Sequence, residues 1–216
     1  MTKKRFVAIL LCVTLVALAA IGATFAYLTD SKTVNNTFTM GNVAIKLDET
    51  NVNDPTGDRV TSNTYNVYPG AVVTKDPIVH NTGKNAAYIR ATVNVSNWMN
   101  LCAAYYPDFK YTFGQEGYKA ALNLLVGELG EGWSVVGVTA GDTFTIGQFD
   151  AKFILKYDRE LAAGENTTAM FQKVTIPAGI DNANTDSFKE VKVVAQAIQA
   201  DGFDTWEAAF AAYDAK

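Results

Sequence analysis

Alternating apolar and polar positions recur along much of the chain and predict β-strands. The clearest run covers residues 88–95, where two sets of side chains would face opposite sides of a sheet. One set is Ile89, Ala91, Val93 and Val95, and the other is Tyr88, Arg90, Thr92 and Asn94. The same period at residues 43–47, 151–157 and 187–198 predicts further strands, each with one face toward a core.

Turn-forming residues separate the predicted strands. Residues 68–70 read Tyr-Pro-Gly, in which proline presets the first corner of a turn and glycine takes the second. Pro77 lies within the strand predicted over residues 71–80 and indicates a break or an edge there. Residues 81–85 predict a hairpin into the next strand. Residues 48–66, rich in Asp, Asn, Thr and Ser, predict an exposed connection. A further strand is expected over residues 167–176.

Two segments have helical periodicity instead. Residues 115–129 carry one apolar stripe, formed by Tyr118, Leu122, Leu125 and Leu129. Near the end of the chain, Asp204 followed by Glu207 is typical of a capping box, and the stripe of that helix would be Trp206, Phe210 and Tyr213. We therefore expect a mainly all-β, antiparallel sandwich with a helical insertion at about 97–133 and a short C-terminal helix.

The first residues have the order of a secretory signal peptide. Lys3, Lys4 and Arg5 precede an uncharged apolar run over residues 6–21, and small residues follow. We expect this run to form a signal-peptide helix and the chain to be exported. Because residues 6–29 carry no charge and are long enough to cross a bilayer, an uncleaved membrane anchor is the alternative.

The expected cleavage site lies between Ala26 and Tyr27. Thr24 and Ala26 would occupy the small positions that a signal peptidase accepts, and Ala23 is a competing site. Removing residues 1–26 leaves 190 residues, which suits a single domain over 27–216. The removed part holds three basic and no acidic residues, so the formal net charge changes from −4 to −7. Such a chain is not expected to bind nucleic acid or anionic lipid.

Candidate chemistry is sparse in this sequence. Cys102 is the one cysteine after residue 26, which excludes an internal disulfide and suits a buried apolar position. His80 is the single histidine, so sites that need two or three histidines are excluded. Acidic loops at 48–58 and 181–186 could hold calcium but lack the pattern of a calcium loop, and solvated turns explain them better. We expect no catalytic residue, no metal site and no cofactor.

Several motifs resemble the TasA/camelysin family of Gram-positive bacteria. They include the Lys-Lys-Arg start, the junction at 22–30 and residues 36–47. Further matching stretches are 68–76, 79–83, 88–90, 164–168 with Phe171, 174–177 and 191–200. Residues 97–133 have no counterpart in the resemblance.

This resemblance implies a jelly-roll-like sandwich and a signal peptide cleaved by a dedicated ER-type signal peptidase. It also implies a secreted subunit of biofilm-matrix fibres, in which the N-terminal segment of one copy completes the sheet of the next. Here that donor strand would start at Tyr27 and bury Leu28, Val34 and Phe38. The partners would be further copies of the chain, the signal peptidase during export and an accessory matrix protein, with no membrane contact after cleavage.

Three alternatives stay open at this point. The N-terminal segment can fold back on its own sheet instead of a neighbour's. The aromatic residues between Tyr105 and Tyr118 could form a sugar-stacking surface of an adhesin or carbohydrate-binding module, although aromatics beside a helix are commonly core residues. The name camelysin carries a protease label, and the sequence has no His-Glu-x-x-His motif to supply zinc ligands.

Overall fold

The computed structural model describes residues 42–105, 115–140, 150–180 and 190–215, which belong to one compact unit, Gly41–Lys216. The strands are β1 (Ile45–Asp48), β2 (Val72–Thr74), β3 (Ile78–Asn81), β4 (Ala87–Val95), β5 (Trp133–Ala140), β6 (Ala151–Tyr157), β7 (Lys173–Thr175) and β8 (Val191–Gln199). The helices are α1 (Trp98–Tyr105), α2 (Gln115–Val126) and α3 (Trp206–Asp214). The predicted signal peptide and donor segment lie outside the described residues, and the domain boundaries at residues 26 and 27 stay predictions.

A four-stranded antiparallel sheet in the order β5-β6-β4-β8 carries most of the core. The alternation predicted for β4 is confirmed, because Ile89, Ala91, Val93 and Val95 are fully buried. In β6, Phe153, Leu155 and Tyr157 are buried on the same side of the sheet. The period-two pattern placed these side chains correctly because it depends only on the pleat of each strand.

Two antiparallel strand pairs, β1-β3 and β2-β7, pack against this core. The expectation of a mainly β, antiparallel fold is therefore confirmed. Pro77 does break the strand predicted over 71–80, since β2 ends at Thr74 and β3 begins at Ile78. The strand expected over 167–176 is shorter than predicted. Met170 instead exchanges backbone hydrogen bonds with Gly130 and Pro77, which leaves β7 as the paired part.

The hairpin predicted at residues 81–85 is wrong. β3 pairs with β1, whereas β4 pairs with β6 and β8, so the chain changes sheets between β3 and β4. The Asn81 side-chain amide fixes this crossover by donating to the carbonyl oxygens of Asn85, at 2.8 Å, and Leu161, at 2.9 Å. Leu161 also bridges to Ala87 at the start of β4. A side chain that bonds one nearby and one distant carbonyl competes successfully with a hairpin turn.

Helices α1 and α2 occupy the expected insertion. Leu122 and Leu125 are buried, and Tyr118 and Leu129 pack against the core, which confirms the predicted stripe. Helix α2 nevertheless ends at Val126, before residue 129, because Gly127 adopts a positive φ of 76°. In α1, Cys102 is fully buried, as predicted, and burial raises the pKa of its thiol to about 12.

The C-terminal helix α3 starts one residue later than its capping prediction. Its N-cap is Thr205, not Asp204, because the Thr205 hydroxyl accepts the backbone N–H of Ala208. Ser, Thr, Asp and Asn are all good N-caps, so adjacent candidates are hard to separate by sequence. The predicted apolar stripe is confirmed. The Trp206 indole N–H donates to the Ile89 carbonyl oxygen at 2.7 Å. Phe210 is buried, and its ring contacts those of Trp206 and Tyr213.

Leu155→Ala tests the assignment of β6 to the core. We expect it to lower the free energy of unfolding by roughly 2–5 kcal/mol, because the removed atoms leave a cavity in a fully buried layer. Leu124→Ala is the matched control, since this α2 side chain is 44% exposed and should change stability by only about 0.5 kcal/mol. Urea unfolding followed by circular dichroism measures both. Equal losses in the two variants would contradict this core.

Candidate functional site: a slot between β1 and β8

A cleft of about 660 Å³, called the slot below, lies between β1 and the first half of β8. Its apolar lining is Leu47 from β1, Val73 and Val174 from the β2-β7 pair, Ile176, and Val191 and Val193 from β8. Residues 61–65 and Lys75 form a polar wall at one side. The slot therefore combines an apolar floor with two strands as its sides.

The outer edge of β8 presents backbone groups to the slot. Ser96 donates its N–H to the Glu190 carbonyl at 3.1 Å, and Ala200 donates to the Ala86 carbonyl at 2.9 Å, in one continuous register with β4. In an antiparallel pair, residues alternate between bonding their neighbour strand and facing away from it. Lys192 and Val194 therefore bond β4, whereas Val191, Val193 and Ala195 direct N–H and C=O outward. Among the described residues, β4 is the one strand that pairs with β8.

The edge of β1 mirrors this arrangement. Thr82 donates to the Ala44 carbonyl at 2.9 Å, so Ile45 and Leu47 direct their backbone groups away from β3. Two residues beyond Leu47, Glu49 exchanges two hydrogen bonds of 2.8 Å with Val60. The connection that follows β1 therefore covers the outer edge of β1 at Glu49. No backbone hydrogen bond joins β1 to β8 across the described part of the slot.

Apolar side chains on both sides of the slot are only partly covered. Ile45, Leu47, Val191, Val193 and Ala195 pack against the core yet keep intermediate exposure. Adjacent strands in a sheet lie about 4.8 Å apart, so an extended segment that paired with the β8 edge would lie directly beside it, at the apolar floor of the slot. Chemically, the slot can supply hydrogen bonds to an extended backbone and an apolar surface to alternate side chains.

A buried charge network holds the connection that forms the polar wall. Arg59 reaches back to β1, with Nε 2.6 Å from Asp48 Oδ1, and its Nη1 lies 2.9 Å from Asp76 Oδ2. The Thr50 backbone N–H donates to Asp76 Oδ1 at 2.7 Å. The Asp48 side chain is only 2% exposed. This network joins β1, the connection and the residues between β2 and β3.

His80 extends the network to a second loop. Its Nε2 lies 2.8 Å from Asp48 Oδ1 and its Nδ1 lies 2.7 Å from Asn166 Oδ1. Burial alone would raise the pKa of Asp48, but hydrogen bonds from Arg59, His80 and Lys46 outweigh it and lower this pKa from 3.8 to about 2. Both ring nitrogens are engaged by side-chain oxygens. The geometry gives His80 a structural role.

The site predicted from the sequence is only partly covered by the structure. The cleavage residues Ala26 and Tyr27, and the donor residues Leu28, Val34 and Phe38, lie outside the described residues. Residues 48–66 were expected to be a plain exposed connection, yet Arg59 and Asn63 reach inward from it. Sequence reasoning missed both, because a polar loop composition does not distinguish outward from inward side chains.

The sequence also offered possible metal ligands, two acidic loops and an aromatic run as candidates. Within the described ranges, no group of three or more His, Cys, Asp or Glu side chains could hold a metal. Asp48 and His80 are paired as above, and residues 181–186 lie outside the description. Of the aromatic run, Tyr105 and Tyr118 pack against the core, and the Tyr105 hydroxyl donates to the Thr175 carbonyl.

These features define an antiparallel β protein in which, among the described residues, the outer edge of β8 is unpaired beside an apolar slot. Residues 1–97 match the sequence family described as camelysin metallo-endopeptidase, which confirms the resemblance to the TasA/camelysin family. The match includes β1 to β4 and the charge network, and it fits a secreted matrix protein. No curated protein matches the chain. No helix in the described part of the chain is long and apolar enough to cross a membrane.

Asp48→Asn tests the charge network. Because the folded pKa of Asp48 is below its ordinary value of 3.8, its carboxylate stabilises the fold fully above that value, and this contribution disappears as pH falls toward 2. We expect the variant to lose about 2 kcal/mol of unfolding free energy at pH 7. Chemical unfolding measured between pH 7 and pH 2 should show the two proteins converging.

Asp58→Asn is the matched control, since Asp58 is an exposed carboxylate of the same connection. It should follow the wild-type curve throughout the pH range. If Asp48→Asn also kept the full acid dependence of the wild type, the network would have no role in stability.

Proposed function

We propose that this chain is a secreted, non-enzymatic structural subunit of extracellular matrix fibres. In the proposed assembly, the N-terminal segment of one copy inserts as a strand into the slot of the next copy. The observation that carries the proposal is the slot itself, where two strand edges and an apolar floor lie within reach of one extended segment. The family match supports an extracellular role.

Hydrogen bonding supplies the first argument. An exposed strand edge is a template for another strand, and proteins normally cover or block such edges. The outward backbone groups of Val191, Val193 and Ala195 on β8 would be paired by one inserted strand. Main-chain bonds of this kind provide affinity in strand-addition complexes.

Apolar burial supplies the second argument. Leu28, Val34 and Phe38 have the same parity in the sequence, so in an extended segment they would lie on one face. On that face, which also carries Asp30, Lys32 and Asn36, Val34 and Phe38 would meet the floor formed by Val73, Val174 and Ile176. Burial of a large apolar side chain contributes roughly 1.5–3 kcal/mol. Specificity for this segment would come from these three positions.

Chain direction favours insertion into another copy. The segment leads directly into β1, so occupying the slot beside β1 of its own copy would require a reversal within a few residues of Ile45. Insertion into a neighbour needs no reversal, and repetition of a head-to-tail contact produces a filament. Signal cleavage between Ala26 and Tyr27 would release the end of the segment. The signal peptidase and an accessory matrix protein are the other proposed partners.

The family description raises one competing function, a metal-dependent peptidase. His80, the sole histidine, is bonded to Asp48 and Asn166 and is therefore not presented to a substrate. Casein hydrolysis by the purified protein, abolished by a chelator and by His80→Ala, would favour the peptidase over the proposed structural role.

Val193→Pro tests insertion at β8. The Val193 N–H faces the slot and is not needed by β4, so proline should preserve the fold yet block the added strand. We expect the trimmed protein starting at Tyr27 to lose polymerisation almost completely, as judged by electron microscopy and sedimentation. Deleting residues 27–37 should have the same effect.

Two neighbouring variants separate edge blocking from loss of packing. Val193→Ala removes side-chain volume but keeps the N–H, and it should still form fibres. Val194→Pro removes a hydrogen bond to β4 and should lower the melting temperature of the monomer. Fibres of normal length and yield from Val193→Pro, or from the protein lacking residues 27–37, would refute the proposed assembly.

A further inference from the structure

Glu49 brings a primary amine and a side-chain amide together at the polar wall of the slot. Its Oε2 lies 2.6 Å from Lys75 Nζ, and its Oε1 accepts a hydrogen bond of 3.0 Å from Asn63 Nδ2. The side chains of Glu49 and Lys75 are 7% and 12% exposed. One carboxylate therefore contacts both groups in a largely buried position.

The Asn63 amide is also fixed from its other sides. Its Oδ1 accepts the backbone N–H of Val52 at 3.0 Å, and its Nδ2 donates to the Thr50 carbonyl at 2.8 Å. The amide oxygen thus faces a backbone donor, while the amide nitrogen faces the Glu49 carboxylate. This is the polarity that attack on the amide carbon requires, because negative charge would develop on Oδ1 beside the Val52 N–H.

Tyr65 makes the surroundings poorly hydrated. The Lys75 ammonium lies 5.9 Å from the centroid of the Tyr65 ring, and the Tyr65 hydroxyl is buried. Burial, followed by the negative charge of Glu49, raises the pKa of Tyr65 to about 12.

We propose that Lys75 and Asn63 form an intramolecular isopeptide bond, with Glu49 as the catalytic proton carrier. Glu49 takes a proton from the Lys75 ammonium, and the free Nζ electron pair attacks Asn63 Cγ to form the new C–N bond. The Val52 N–H stabilises the resulting oxyanion. Glu49 then protonates Nδ2, the Cγ–Nδ2 bond breaks and ammonia leaves, while Glu49 removes the second proton from Nζ and passes it to the ammonia, which departs as ammonium. The step needs neither an oxidant nor a cofactor.

The bond would tie the end of β2 to the connection that follows β1. Both segments line the slot, so the cross-link would fix the slot's polar wall covalently. A cross-link that closes a loop also restricts the unfolded chain. The inference does not depend on fibre assembly, because all reacting groups belong to one copy.

Intact-mass spectrometry of the folded, secreted protein tests the bond. We expect a mass about 17 Da below that of the processed sequence, the mass of ammonia lost when the amine acylates. Proteolysis should yield a branched peptide that joins Lys75 to Asn63. Glu49→Gln, Lys75→Arg and Asn63→Ala should each restore the full calculated mass and abolish the branched peptide.

The Lys75→Arg variant also separates the isopeptide from a succinimide at Asn63, which loses the same mass without the lysine. Circular dichroism and thermal unfolding establish that each variant is folded, and Lys46→Arg is the control for a lysine whose ion pair is with Asp48. A folded wild-type protein of full calculated mass would overturn the inference. So would a loss that persists in folded Lys75→Arg or Glu49→Gln protein.

Discussion

Assembly by strand addition depends on one physical feature, the outer backbone edge of β8. Every second residue of that strand directs its N–H and C=O away from β4, and within the described residues no strand receives them. Such groups must bond water or another chain. Beside them, Val191 and Val193 leave apolar surface only partly covered. An edge with both properties has a shape complementary to an extended segment, which is the basis for proposing assembly by strand addition.

The charge network fixes β1 and the connection after it, which form the side of the slot opposite the β8 edge. Arg59 joins Asp48 on β1 to Asp76, and Val60 closes the outer edge of β1 at Glu49. A buried carboxylate with several partners is costly to disrupt, so the connection after β1 behaves as part of the fold although its composition is that of a surface loop. The Glu49, Asn63 and Lys75 cluster sits on the same wall, and an isopeptide bond there would reinforce the same segment.

Local patterns predicted individual strands well and strand partners poorly. The orientation of Ile89 and Val93 followed from alternation alone, since the pleat fixes it within a few residues. The hairpin after β3 was wrong because Asn81 bonds Leu161, eighty residues away, and no local pattern contains that contact. The helix cap was misplaced by one residue between two equally suitable side chains. The slot could not be predicted, because it is produced by the spacing of β1 and β8, whereas the motifs at the N-terminus did predict the family match over residues 1–97.

Hydrogen exchange of individual amides shows whether an added strand pairs with the outer edge of β8. In protein trimmed to Tyr27, residue-resolved exchange would be compared between the monomer and the assembled state. The account predicts that the outward amides of Val193 and Ala195 exchange rapidly in the monomer and become protected on assembly, whereas the Val194 and Gln196 amides are protected in both. Protection of Val193 and Ala195 already in the monomer would mean that the segment fills its own slot. Continued rapid exchange in the assembled state would mean that the slot stays empty, and either result contradicts assembly by strand addition between copies.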